Sequence, residues 1–133
     1  NTMKNPDNKF SIFFLERLKS FKHAWDGWKF VLKTQQNAWI HLAATILVIL
    51  MSLWLRIQRA DWIAILLVIG IVWTAEFFNT AMEAVVDLVS PEKHPLAKIG
   101  KDVGAAAVLI AAGMALAIGL IILGPPLLAK LGL

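Results

Sequence analysis

The hydrophobic pattern of this chain changes character along its length. Between residues 9 and 33 the apolar positions recur at helical spacing. Phe10, Phe14, Leu18, Phe21, Trp25, Trp28 and Leu32 fall within an arc of roughly 80° at about 100° per residue. Lys19, Lys22, Asp26, Lys29 and Lys33 take the opposite side. Residues 9–33 are therefore predicted to form an amphipathic helix lying in a membrane interface, its aromatics in the acyl boundary and its lysines toward headgroups. A helix docked on a soluble partner is the alternative. Gly27 is expected to weaken this helix or let it bend.

Three continuous apolar stretches follow, at residues 38–55, 62–89 and 103–123. Each is long enough to cross a hydrocarbon core of about 30 Å at about 1.5 Å per residue. The first is interrupted only by His41 and ends at Arg56, Gln58, Arg59 and Asp61, a short polar turn that predicts a helical hairpin. The second is wholly apolar through Trp73, then turns polar at Glu76 while keeping a helical period to Val89, so its second half cannot face lipid. Pro91 and Pro95 bracket the next loop, where helix propagation is expected to stop. The third stretch is expected to end before Gly124, Pro125 and Pro126. The pattern predicts an all-α integral membrane protein: an interfacial amphipathic helix plus three transmembrane helices, within one domain spanning 1–133.

Composition sharpens this picture. The chain has 133 residues, 59% of them hydrophobic, more than soluble domains carry. It has no cysteine, which excludes disulfides and thiolate metal sites. The basic N-terminal segment is followed by no small-residue cleavage pattern, which argues against a secretory signal. Basic residues are unevenly distributed. Lys4, Lys9, Arg17, Lys19, Lys22, Lys29 and Lys33 precede the first span and Lys93, Lys98 and Lys101 follow the second, against Arg56, Arg59 and Lys130 elsewhere. Cytoplasmic flanks are enriched in Lys and Arg, so the N-terminus is expected in the cytoplasm and the C-terminus outside. The same distribution suggests anionic lipid, and no nucleic acid, as the partner of the basic segment.

The polar half of the second span carries the candidate chemistry. Glu76, Asn79, Glu83 and Asp87 are spaced i, i+3, i+7 and i+11, within an arc of about 80° on one helix. Carboxylates at membrane depth cost several kcal/mol unless paired, solvated or bound to a cation. Asn79 alone can serve as interhelical polar glue, whereas three clustered acids call for a counter-ion. Mg²⁺, which takes oxygen ligands and is commonly completed by substrate phosphates, suits that need and points to a nucleotide. Lys101 and Asp102 lie on the same expected side, and Lys101 can contact phosphates or snorkel from a helix end. Gly100 and Gly104 leave room for close approach of a helix or a ligand. The P-loop and Rossmann glycine signatures are both missing, and His23, His41 and His94 lack zinc-ligand spacing.

The run A-E-F-F-N-T-A-M-E-A-V-V-D over 75–87, with H-P-L-A-K-I-G-K-D-V-G-A-A-A-V-L over 94–109, resembles the prokaryotic diacylglycerol kinases, which include undecaprenol kinases. The likeness extends to the amphipathic segment and to N-A-W-I-H-L over 37–42, and the N-T-A and H-P-L-A-K wording is closer to the undecaprenol kinase branch. The resemblance implies a homotrimer of three-span subunits in the bacterial plasma membrane, using ATP and Mg²⁺ at the cytoplasmic interface to phosphorylate a lipid alcohol, undecaprenol or diacylglycerol. It implies Glu76 as general base on the lipid hydroxyl, Glu83 as a metal ligand, and Asn79, Lys101 and Asp102 as groups that position nucleotide and phosphates. Gln35 stands where the family usually has a second metal-binding glutamate; Asp87, Asp102 and Asp26 are the acids available to substitute. Two other readings of the acidic stripe are a small oligomeric ion or proton transport subunit and a catalytically silent kinase-like scaffold.

Overall fold

The computed structural model describes the backbone from residue 6 and side chains from residue 10 onward; Lys4 and Lys9, counted above among the basic residues, have no described side chains. The protein is all-helical, with α1 (Pro6–Thr34), α2 (Gln36–Leu55), α3 (Arg59–Val89) and α4 (Pro95–Leu131). It divides into an N-terminal unit that ends at Gln36 and a second unit, Asn37–Leu133.

The described part of the N-terminal unit is helix α1, which continues through Gly27. Phe10, Phe13, Phe14, Leu18, Phe21 and Trp25 all stand exposed along it. So many exposed aromatics on one helix need an apolar surrounding or a partner. Two local contacts lie along it: Lys29 Nζ is 2.8 Å from Asp26 Oδ1, and the Arg17 guanidinium sits 5.0 Å from the Phe13 ring centroid. Hydrogen bonding to Lys29 holds the Asp26 carboxyl below its ordinary pKa.

The second unit contains three helices long and apolar enough to cross a membrane, α2, α3 and α4. Their outward residues, Leu47, Leu67, Leu109, Leu116 and Ile121 among them, are exposed, as lipid-facing or partner-facing side chains must be. This is a multi-pass membrane protein. A hairpin joins α2 to α3: Arg56 adopts a left-handed φ of 52°, and the Ile57 N–H reaches back to Ser52 O at 3.3 Å. That is a helix C-terminal cap in which glycine is the usual residue. Helices α3 and α4 form the closest-packed pair. The buried face of α3 runs Ile65, Val68, Val72, Trp73, Glu76, Asn79, Thr80, so its apolar core stripe continues without a change of face into polar residues.

Helix α4 is longer than the apolar run 103–123 at both ends. Pro95 does not end a helix but begins one, at the first position, where its missing N–H costs no bond. His94 caps it, with Nδ1 accepting the Leu96 N–H at 3.2 Å. At the other end the helix passes through Pro125 and Pro126 and stops only at Gly132, whose φ of 76° and N–H bond to Ala129 O close it. Prolines inside a spanning helix are tolerated because neighbouring groups satisfy the carbonyls they free.

Candidate active site

The site grows from the polar half of α3. Glu76 is 1% exposed, and neither of its carboxylate oxygens has a hydrogen-bond partner among the described residues. Its backbone carbonyl accepts the Thr80 hydroxyl at 2.8 Å. The nearest ionisable neighbour comes from α2: His41 Nε2 lies 3.6 Å from Glu76 Oε2, in ion-pair range but beyond hydrogen-bond length. Trp73, one turn before Glu76, donates its indole N–H to Thr45 Oγ1 on α2 at 3.1 Å and meets the His41 ring edge-on. In the sequence His41 stands out only as an interruption of the first apolar stretch without zinc-ligand spacing. No local signal pairs it with Glu76, because the two meet only through the α2–α3 hairpin.

One turn further along α3, the Asn79 amide donates to Glu83 Oε1 at 3.1 Å. That bond orients the amide so that Oδ1 faces Gly104 on α4, where it is buried and has no hydrogen-bond partner among the described residues. A Cβ on Gly104 would overlap this oxygen, and the Asn79 Cα would be only 3.8 Å from it. Gly104 therefore permits the close approach of α3 and α4 at Asn79, the packing role that its spacing suggested.

Toward the loop, Lys101 Nζ reaches Asp87 Oδ1 at 2.5 Å, and Lys98 pairs with Asp102. Asp87 and Asp102 are both exposed, in contrast to Glu76. These side chains line an open cleft of about 680 Å³, shared with Ser90, Lys93 and His94. Gln35 occupies the single-residue break between α1 and α2, its N–H bonded to Val31 O at 2.9 Å. Glu76, Asn79 and Glu83 thus share one face of α3. Lys101 and Asp102 lie on α4 near the loop, and Lys101 is tied to α3 through Asp87. Gln35 belongs to the N-terminal unit.

Among the described residues, no three His, Asp or Glu side chains converge as a protein-only metal cage. The donor set is hard oxygen, and half-buried Glu83 offers a carboxylate steadied by Asn79. Such a set fits a cation held by one or two carboxylates and completed by phosphate oxygens.

Residues 22–123 match the model of the family described as prokaryotic diacylglycerol kinase. The chain is 37% identical over 124 residues to the undecaprenol kinase of Bacillus subtilis (strain 168), covering 93% of this chain and 98% of that one. It is 41% identical over 112 residues to the diacylglycerol kinase of Synechocystis sp., with 84% of this chain and 64% of that protein covered. The diacylglycerol kinase of Escherichia coli (strain K12) is 31% identical over 105 residues, covering 74% and 80% of the two chains. With a carboxylate buried among three spanning helices, and a family match over most of its length, the chain is a membrane lipid kinase that belongs to the prokaryotic diacylglycerol kinase family.

Proposed function

We propose that this chain transfers the γ-phosphate of ATP, with Mg²⁺, to the hydroxyl of a membrane lipid alcohol, with undecaprenol favoured over diacylglycerol. The observation that carries the reading is Glu76: a fully buried carboxylate, unpartnered at both oxygens, on the same helix face as the Asn79–Glu83 pair. A carboxylate at that depth with no hydrogen bond, and with His41 only in ion-pair range, is too costly to persist as packing. It is suited to accept the proton of a lipid hydroxyl as that oxygen attacks phosphorus.

Phosphoryl transfer otherwise asks for in-line positioning and neutralised phosphate charge, not covalent chemistry from the protein. Asn79, Lys101 and Asp102 serve that positioning. Lys101 would exchange its bond to Asp87 for a phosphate oxygen, a trade between two charge-assisted partners. Glu83 would hold Mg²⁺, which when bound neutralises charge on the phosphates, and the family resemblance gives Gln35 the position of a second metal ligand. Gln35 brings no charge of its own, so Gln35→Glu should lower the Mg²⁺ concentration needed for half-maximal activity. The exposed aromatics of α1 suit an interfacial position, and the distribution of Lys and Arg supports a cytoplasmic N-terminus. Extensive exposed apolar surface on the spanning helices supports assembly as a homotrimer.

The favoured acceptor follows the relative that aligns over nearly its full length, which is named for undecaprenol. The test is purified protein with Mg²⁺, labelled ATP and a panel of undecaprenol, diacylglycerol and ceramide. Label should appear first in undecaprenol. Label in none of the three would sink the kinase reading, and ion flux in liposomes without ATP would support the transport alternative.

A further inference from the structure

The half-buried His41 imidazole is a titratable group for which phosphate binding and metal binding have no use. Its Nε2 is buried, has no hydrogen-bond partner among the described residues, and lies 3.6 Å from Glu76 Oε2. The ring does not sit there by chance packing alone. Trp73 is pinned to α2 by its indole bond to Thr45, one turn beyond His41, and it meets the imidazole at an interplanar angle of 71° with centroids 6.4 Å apart. The Thr45–Trp73 link therefore sets the distance between α2 and α3 at this level, and the edge-on contact limits how the imidazole can turn.

We propose that His41 is the positioning residue of Glu76. Its Nε2–H is directed at Oε2, which leaves Oε1 as the oxygen presented to the lipid hydroxyl. At 3.6 Å the contact is looser than a hydrogen bond, as catalytic pairs often are until substrate binds and tightens them. Its chemical sense is that of a histidine and carboxylate in which one partner fixes the rotamer of the other, here with the carboxylate as the working group. Among the described residues of α4, none between Asp102 and Lys130 is ionisable, and on α2 His41 is the ionisable group that lies in ion-pair range of Glu76.

This proposal rests on Glu76 being the proton acceptor, and the experiment separates the two ideas. The full chain in nanodiscs would be assayed as wild type, His41→Gln, His41→Phe and Glu76→Gln, with ¹⁵N spectra of the His41 ring recorded for wild type and Glu76→Gln. His41→Gln keeps an N–H donor, whereas His41→Phe keeps an apolar ring of similar size. The expected result is that His41→Phe loses about ten- to a hundredfold in kcat with ATP KM unchanged, while His41→Gln recovers most of that loss. The ring ¹⁵N resonances should shift in Glu76→Gln. Equal activity of His41→Phe and wild type, alongside an inactive Glu76→Gln, would overturn the His41 proposal and leave the base assignment standing. A loss shared by both His41 variants with a raised ATP KM would show general loosening and also overturn it, as would ring resonances that ignore Glu76→Gln. An active Glu76→Gln would instead remove the base assignment on which the proposal stands.

Discussion

One end of the membrane unit and its middle treat polar groups in opposite ways. Where α2 ends, Lys130 from α4 donates to the Trp54 carbonyl at 3.1 Å and lies 4.5 Å from the centroid of its ring. Every polar atom named in that contact has a partner, and the residues involved are exposed. Midway along α3 the reverse holds: Glu76 and Asn79 are buried with carboxylate and amide oxygens that no described residue satisfies. A polar group at a water-facing end can be satisfied cheaply, so pairing there contributes to stability. The same group at membrane depth costs several kcal/mol unless something else completes it. The Lys130 contact links α2 to α4, whereas the interior of α3 carries polar oxygens without hydrogen-bond partners among the described residues. The acids near the loop fall between these cases, because Asp87 and Asp102 are exposed and each already has a lysine partner.

The largest expected effect breaks the interior. Glu76→Gln keeps size and packing but cannot accept a proton, so lipid phosphorylation should fall by about 10²- to 10⁴-fold while oligomer size and helicity stay as in wild type. Disassembly of that variant on size-exclusion chromatography would instead make Glu76 structural glue. A smaller change tests Gly104. In Gly104→Ala the new methyl overlaps Asn79 Oδ1, and turning the amide away breaks its bond to Glu83. Alanine gains about 1 kcal/mol in helix propensity, which offsets only part of an overpacking cost of about 1–3 kcal/mol. Stability should therefore fall by no more than about 2 kcal/mol while ATP KM rises, and a fall in stability with unchanged kinetics would contradict the role given to Asn79.

The partnered end should behave in the opposite sense. Lys130→Met removes the cation over Trp54 and its hydrogen bond, at an expected loss of about 1 kcal/mol in stability with kcat and KM unchanged. A kinetic effect would mean that this end and the interior are coupled. The smallest effect belongs to the exposed Asp26–Lys29 pair on α1. The folded-state pKa of Asp26 lies below its unfolded value, so the pair stabilises the helix above the unfolded pKa, and that contribution is lost as pH falls through the folded one. Solvent screening keeps it small. Helicity of Asp26→Asn followed through that acid range should lack the wild type's slight decline.

Local periodicity is what the sequence by itself determined. Runs of apolar residues marked all three spanning helices, a helical period with lysines opposite aromatics marked α1, and the i, i+3, i+7, i+11 spacing put Glu76, Asn79, Glu83 and Asp87 on one face. Helix ends were less legible. Prolines signal a break whether they start a helix, as Pro95 does, or lie within one, as Pro125 and Pro126 do. Only the tertiary structure ranked the acids. On the sequence Glu76 and Asp87 are equivalent members of one stripe, but Asp87 lies where Lys101 of α4 can reach it, and Glu76 lies at a depth where its nearest ionisable neighbour is His41 of α2. Burial and pairing depend on which neighbouring helix faces each turn of α3, and that is set by contacts between segments far apart in the chain, to which a one-helix pattern is blind.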